Sequence, residues 1–322
     1  MKKLATALIA SAALAAMIPS AMAANIAVIA GSANDAFFNT IKKGVDDAAL
    51  VIQKNGGKVT YMTVQNYDNF GPDLVGLINS AVSQKVDGIA IPVWVPEAQV
   101  PALQEAAKKG IKIMMYNSAG AADTKSKVSG INYFGSDEHV AGVAGGDYFA
   151  KGGAKKIICV IQVPGAVNLE NRCAGVKEGA EKAGAKVENL ELPSTLQGDA
   201  AGTAEALKAQ LLKEGDVDAV ITLGAQTADA AAQAIQQANV GAKVKLGTFD
   251  MSKSVLDRIK AGTQAMAIDQ QPYPQSFLAT TMLAANIDWG IALATDPVLT
   301  GPAIVDSKNI DAALKGVAAG TR

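Results

Sequence analysis

Two stretches of this 322-residue chain repeat one pattern at an offset of about 130 residues, and that duplication limits the fold more than any other feature. Short apolar runs at 26–30, 58–64, 88–91 and 111–116 alternate with segments of helical periodicity at 37–54, 72–84 and 97–109. The second stretch has runs at 156–162, 186–192, 219–223 and 244–248, separated by helical segments at 169–183, 200–213 and 226–239. Strands that alternate with helices build βαβ units and therefore parallel sheets. The echo extends to single residues. Gly44-Val45 and Gly175-Val176 each fall inside the first helix of their stretch. Gly56 and Gly184 each stop that helix ahead of a Lys-Val that opens the next strand. Val86-Asp87 and Val217-Asp218 precede the third strand of each copy. The expectation is an α/β protein of two similar, doubly wound, parallel-sheet lobes.

That expectation locates a ligand. Open parallel sheets bind ligands beyond the carboxyl ends of their strands, so two facing lobes would enclose a cleft lined by the segments that follow the strands. Those segments contain Asp35, Phe37, Phe38, Asp68, Trp94, Asn117, Asn168, Arg172, Asp199, Gln226, Asp250 and Gln270. A carboxylate accepts from adjacent hydroxyls, and an arginine fork donates to two oxygens. Aromatic faces cover the apolar C–H side of a sugar ring. The combination suits a polyhydroxylated solute. The candidate ligand-binding residues are Asp35, Phe37, Phe38, Trp94, Asn117, Asn168, Arg172, Asp250 and Gln270.

Structural roles compete with several of these. Asp35 and Asp250 each stand where a helix N-cap belongs. Of Phe37 and Phe38, one is expected in the core and one in the cleft. Trp94 is either a cleft wall or surface packing. Arg172, read as lying in a first helical turn, sits badly for the helix dipole, which argues for a purpose. Asp68 and Asp199 read as solvated turn residues, and Tyr273 and Gln275 are candidates for a hinge.

The amino terminus assigns a compartment. Lys2 and Lys3 precede an apolar run over 4–18, and Ala21-Met22-Ala23 follows as a small-x-small cleavage pattern. This is the order of a secretory signal peptide, residues 1–23, too short an apolar run for a membrane span. The mature protein is expected to be soluble, monomeric and periplasmic. Export permits a disulfide between Cys159, on a strand, and Cys173, on the following helix, the two cysteines of the chain. The alternative is a pair of buried free thiols. A formal charge of −1 argues against a nucleic-acid partner. With His139 the single histidine, neither a histidine metal centre nor a Ser/Cys–His nucleophile is expected. No G-x-S-x-G elbow, P-loop or C-x-x-C is present. Gly142, Gly145 and Gly146 are glycine-rich but fall within a helical pattern, which makes a poor dinucleotide signal. No catalytic residue, metal or cofactor is expected.

Longer motifs add a resemblance. They are Asn34-Asp35-Ala36-Phe37-Phe38 after the first strand, Gly135-Ser136-Asp137 followed by Ala141-Gly142 and Gly146-Asp147-Tyr148, Arg172 three residues before Gly175, Thr248-Phe249-Asp250, and Ile268-Asp269-Gln270-Gln271-Pro272. With these the chain resembles the periplasmic sugar-binding proteins of the ribose/galactose-binding type that serve ABC importers. The resemblance implies a type I periplasmic binding protein fold whose lobes are joined by a hinge of three crossings, near 136–137, 270–271 and 300–301. One lobe would be residues 24–135 plus 271–299, the other 136–270 plus 300–322. It also implies closure of the lobes on the solute and recognition of the closed form by a membrane permease. The family's sugar contacts fall on Asp35, Phe38, Asn117, Arg172, Asp250 and Gln270, and Asn168 stands where some members carry a carboxylate. Asp35 replaces the amide of the ribose type, Asn117-Ser118 replaces an Asp-Arg pair, and Gly224 replaces an Asn. The expected ligand is accordingly a neutral monosaccharide, a polyol or an amino sugar, with ribose and sugar phosphates disfavoured. A sensory protein that presents a sugar-like signal, such as an autoinducer, to a receptor or kinase is the alternative.

Overall fold

The strand β1 (Asn25–Ala30) shows how the sheets are built: Ile26 through Ala30 are all fully buried. A strand reads as a continuous apolar run when helices cover both faces of its sheet. The inner strands of the computed structural model, which describes residues 23–322, follow this pattern, whereas the edge strands at 58–63 and 186–191 are largely exposed or half-buried. The expected signal peptide lies outside the described residues except for Ala23.

After β1 come α1 (Ala36–Lys54), β2 (Lys58–Thr63), α2 (Phe70–Ser83), β3 (Gly88–Val93), α3 (Pro96–Lys108), β4 (Lys112–Ala119), the short α4 (Thr124–Lys127) and β5 (Gly130–Ser136). The chain continues through α5 (Glu138–Lys151), β6 (Lys156–Ile161), α6 (Val167–Lys182), β7 (Lys186–Glu191), α7 (Ala200–Glu214), β8 (Ala219–Thr222), α8 (Ala225–Gln237), β9 (Lys245–Phe249), α9 (Lys253–Lys260) and β10 (Met266–Asp269). It closes with α10 (Pro272–Trp289), β11 (Val298–Gly301), β12 (Ala303–Val305) and α11 (Ile310–Ala318).

Two six-stranded sheets result, ordered β11-β5-β4-β3-β1-β2 and β12-β10-β9-β8-β6-β7. All pairings are parallel except β10 with β12, which is antiparallel. The five strands β5-β4-β3-β1-β2 and β10-β9-β8-β6-β7 run in the same order, so the duplicated pattern folds into two α/β lobes of like topology, the type I periplasmic binding protein fold. The chain passes from the first sheet to the second after Ser136, returns after Asp269, and passes again between Gly301 and Ala303. In each sheet the strand order reverses between the first strand and its neighbours, β1 against β2 and β3, and β6 against β7 and β8. The crevice beyond the strand ends at such a reversal is where an open α/β sheet accepts a ligand.

The repeated Gly-Val has a packing cause. A methyl group added at Gly44 of α1 would stand 2.3 Å from Ser276 Oγ and 2.5 Å from the Tyr273 carbonyl oxygen of α10. One added at Gly175 of α6 would stand 2.1 Å from the His139 carbonyl oxygen of α5. Each glycine therefore admits the helix that follows a crossing. The α5–α6 contact is closer still, because Gly142 and Gly146 of α5 meet the backbone of Arg172 and Val176 at 2.1 Å by the same measure. The glycine-rich run in α5 serves helix packing, not a nucleotide. Beneath this contact a disulfide joins Cys159 of β6 to Cys173 of α6, with Cα atoms 5.8 Å apart and both residues fully buried. A loop of this length stabilises by about 3 kcal/mol in the chain-entropy model.

Candidate ligand-binding cleft

Two hydrogen bonds hold the lobes together across the strand ends. The Val167 amide donates to the Trp94 carbonyl oxygen at 2.9 Å, and Gln226 Nε2 donates to the Asn34 carbonyl oxygen at 3.1 Å. The cavity behind them is lined by all nine candidate residues, together with Tyr67, Phe70, Gln162 and Arg322.

The first lobe contributes an aromatic wall. Phe38 lies edge-on to Phe37 at 5.2 Å and to Trp94 at 5.6 Å, and Trp94 packs against Phe70 at 5.2 Å between ring centroids. Phe38 is buried and Phe37 half-buried, yet both reach the cavity, so the expected split between core and cleft is one of degree. Trp94 is 3% exposed, which makes it a cleft wall and excludes surface packing. Its indole Nε1 donates to Asn117 Oδ1 at 3.1 Å. Asn117, at φ 57°, donates in turn from Nδ2 to Gln275 Oε1 at 3.3 Å. Asn117 borders the cavity, but both ends of its amide are engaged within the protein.

Asp35 fills both roles open to it. One oxygen caps α1 by accepting from the Phe37 amide at 3.1 Å, and the other accepts from the Tyr67 hydroxyl at 3.0 Å. Burial pushes its pKa above the ordinary carboxylate range, and those two hydrogen bonds pull it partly back. For Asp250 the cap reading fails. Ser252 caps α9 by accepting from the Val255 amide, while Asp250 turns at φ 67° towards the cavity and accepts from Gln270 Nε2. Burial pushes the Asp250 carboxyl up to about 7, against the pull of Arg172.

The second lobe contributes a polar network centred on Arg172, which is 2% exposed. Its Nε donates to Glu138 Oε2 at 2.6 Å, Nη1 to the Leu223 carbonyl oxygen at 3.1 Å, and Nη2 to Gln270 Oε1 at 2.5 Å. The guanidinium lies 4.5 Å from the centroid of the Phe249 ring. Gln270 thus connects Arg172 to Asp250. Because α6 begins at Val167, Arg172 stands in its second turn, and the helix-dipole argument for its purpose falls away. The ion pair with Glu138 accounts for its burial instead. Burial raises the Glu138 carboxyl and Arg172 lowers it, whereas the guanidinium stays charged at any ordinary pH.

Among the described residues, Asn168 Oδ1 and Gln162 Oε1 are buried in this cavity without a hydrogen-bond partner. A buried amide oxygen without a partner is costly, so both are positioned to accept from a solute. The remaining candidates do less here. Asp68 is exposed, Asp199 caps α7, and Gln226 closes the mouth. Gln275 lies at the crossings, donating to the Gln270 carbonyl oxygen and to Thr300 Oγ1, while Tyr273 packs away from them and donates to Asp47. No group of three or more His, Cys, Asp or Glu side chains converges to hold a metal ion among the described residues. None of their helices is long and apolar enough to cross a membrane.

Residues 26–290 match the family of the periplasmic binding protein domain. The chain belongs to the periplasmic binding protein family. Its membership makes it a solute-binding protein and not an enzyme. This binding protein is 33% identical to a carbohydrate transporter protein of Acidothermus cellulolyticus solved with myo-inositol, over 93% of this chain and 100% of that one, with a TM-score of 0.83. It is 26% identical to an ABC transporter solute-binding protein of Burkholderia graminis solved with D-arabinose, covering 90% and 98% of the two chains at a TM-score of 0.77. A xylose/arabinose-binding protein of Sulfolobus acidocaldarius is 22% identical over 286 residues, 85% of this chain and 69% of that protein.

Gln162, Tyr67, Phe70 and Arg322 line the binding protein's cleft but escaped the sequence reading, as did Glu138 behind it. Gln162 was counted as the last residue of its strand, although β6 ends at Ile161. Tyr67 lies in a segment already marked as following a strand, and its only distinction there was being aromatic. Glu138 reads as an ordinary acid in a first helical turn. Arg322 lies far in sequence from the strand ends and reaches Asp269 at 3.4 Å.

Proposed function

We propose that this protein captures a neutral monosaccharide or cyclic polyol between its lobes in the periplasm and delivers it to the permease of an ABC importer. The observation that carries the reading is the relay Arg172–Gln270–Asp250, with the unpartnered oxygens of Asn168 and Gln162, set in one cavity with the Phe38–Trp94 wall. The relay offers donors and acceptors in alternation, as vicinal hydroxyls require, and the wall offers a surface for ring C–H groups. The relatives solved with myo-inositol and D-arabinose support a ligand of this class and size. The apolar leader at 4–18 supports export. On this reading the lobes are residues 24–136 plus 271–301 and 137–270 plus 302–322, with bounds set by β5 ending at Ser136 and β11 at Gly301, and they open and close about the three crossings.

A thermal-shift screen of the mature protein against myo-inositol, D-arabinose, D-xylose, D-glucose and D-galactose tests it. A true ligand at 100 times its dissociation constant adds about 2.7 kcal/mol to stability. At least one neutral compound should raise the melting temperature. Stabilisation by amino acids or carboxylic acids alone would overturn the reading.

A further inference from the structure

We infer that Glu138 sets the charge selectivity of the cleft: by holding Arg172 as a neutral pair, it leaves the guanidinium able to orient hydroxyls but unable to admit a carboxylate or phosphate. The inference rests on the sugar or polyol reading above and names what that site refuses.

Arginine is the usual residue for recognising planar anions, and here one arginine faces the cavity from the centre of the second lobe. All three of its nitrogens are already engaged by protein acceptors from three elements: Glu138 at the start of α5, Leu223 after β8 and Gln270 after β10. Three of its five N–H groups serve those acceptors, which leaves two to donate to a ligand. The positive charge is a separate matter. Glu138 lies 2.6 Å from Arg172, and their side chains are 7% and 3% exposed. Glu138 does not line the cavity, so it acts through Arg172 as a positioning residue.

Among the described residues, the other charges around the cavity do not restore a free cation. Arg322 pairs with Asp269 at 3.4 Å. Asp35 and Asp250 face the cavity with neutral hydrogen-bond donors only, a tyrosine hydroxyl and a backbone amide for one and an amide side chain for the other. An anionic solute would find both nearby guanidinium groups already paired and, wherever the Asp35 or Asp250 carboxyl has ionised, a like charge as well. Like charges in a site with little water repel strongly. A neutral polyol meets no such opposition, and a ligand bearing an ammonium group would be attracted.

A second observation shows that the pair is fixed by the backbone. Gly142, one turn beyond Glu138, and Gly175, three residues beyond Arg172, bring α5 and α6 so close that a methyl group on either would sit 2.1 Å from the opposing carbonyl oxygen. The second oxygen of Glu138 is buried and has no partner. The acid is thus held against one nitrogen of Arg172 by helix packing, and its burial is not explained by any wider hydrogen-bond network.

Calorimetric titration of the wild type and of Glu138→Gln tests this with matched probes: D-glucose against D-glucuronate, and myo-inositol against myo-inositol 1-phosphate. The wild type should bind the neutral member of a pair at least about 100-fold more tightly than its anion. In Glu138→Gln, folded by its circular dichroism, that ratio should shrink on the order of tenfold, mainly through a gain for the anion. A merely structural role would lower both affinities together and leave the ratio unchanged, which would overturn the inference. A wild-type affinity for either anion within threefold of its neutral partner would overturn it without any variant. If the anions bind and no neutral compound does, the functional reading fails as well. Neutral binding with an unchanged ratio in Glu138→Gln defeats the inference alone.

Discussion

The two lobes share a strand order and a glycine in their first helix, yet they present opposite chemistry to the cleft. Among the described residues, the first lobe offers Phe37, Phe38, Phe70 and Trp94, with Asp35 as its lone ionisable carboxyl facing the cavity. The second offers Arg172, Gln162, Asn168, Asp250 and Gln270, with no aromatic side chain lining the cavity. The helix contacts differ in parallel. In the first lobe one glycine, Gly44, admits α10, whereas in the second Gly142, Gly146 and Gly175 interlock α5 with α6, and a disulfide lies below. The duplication thus determines where a ligand sits, and the few residues after each strand determine what it is. On the proposed reading, the lobe that would fix hydroxyl directions is the more closely packed, as directional hydrogen bonds demand.

The largest effect should come from the centre of the polar lobe. Arg172→Ala leaves Glu138 and Gln270 buried without their donor, and breaking a buried pair costs about 3–5 kcal/mol. We expect loss of measurable ligand binding in calorimetry and a lower urea midpoint. Retained affinity would show that the second lobe does not fix the ligand.

The charge of that lobe should appear as a pH dependence. With its carboxyl pushed up to about 7, Asp250 keeps a proton in the folded protein that the unfolded chain releases near the ordinary 3.8. The native state then binds more protons between those values, so this contribution to stability is complete below about pH 4 and is lost as pH rises through 7. The loss is at most about 4 kcal/mol, from roughly three pKa units. Burial raises Asp35 in the same direction. Urea denaturation without ligand should therefore give lower stability at pH 8 than at pH 5, and Asp250→Asn should flatten that slope. An unchanged slope in the variant would assign the proton elsewhere.

The rigidity half of the comparison is tested at Gly142. An added methyl group must displace α5 from the Arg172 backbone, and overpacking of this kind costs about 1–3 kcal/mol. Gly142→Ala should lower both the melting temperature and the ligand affinity, because the Glu138–Arg172 pair moves with the helices. The smallest effect belongs to the aromatic lobe. Phe37 is half-buried at the edge of the wall, and Phe37→Ala should weaken binding by about 1 kcal/mol with little change in stability.

Much of this was legible in the sequence because the inner strands are continuous apolar runs and the copies confirm each other. The strands near the crossings were not. β11 and β12 span four and three residues, and β5 carries Asn132 and Ser136, so neither length nor periodicity distinguishes them. The start of α6 was displaced by two residues because Ala166 occupies its cap position and makes no side-chain cap. That displacement misplaced Arg172 by a turn and hid its partner, since a pairing between residues 34 apart on two helices depends on how closely those helices pack. Nothing in the local sequence of Glu138 distinguishes it from a helix-start acid that favours the dipole. The competition at Asp250 between cap and cleft was settled by Ser252, a better-placed cap two residues later.

The central claim is that a neutral hydroxylated solute binds between the aromatic wall and the Arg172 network, and the two tryptophans of the chain allow a direct test. Trp94 lines the cavity, while Trp289 is 62% exposed at the end of α10. Intrinsic fluorescence should be titrated with the best neutral compound from the screen in Trp94→Phe and in Trp289→Phe. The account predicts a saturable change that persists in Trp289→Phe and disappears in Trp94→Phe. A change that survives in Trp94→Phe and vanishes in Trp289→Phe would place the ligand outside the cleft and contradict it.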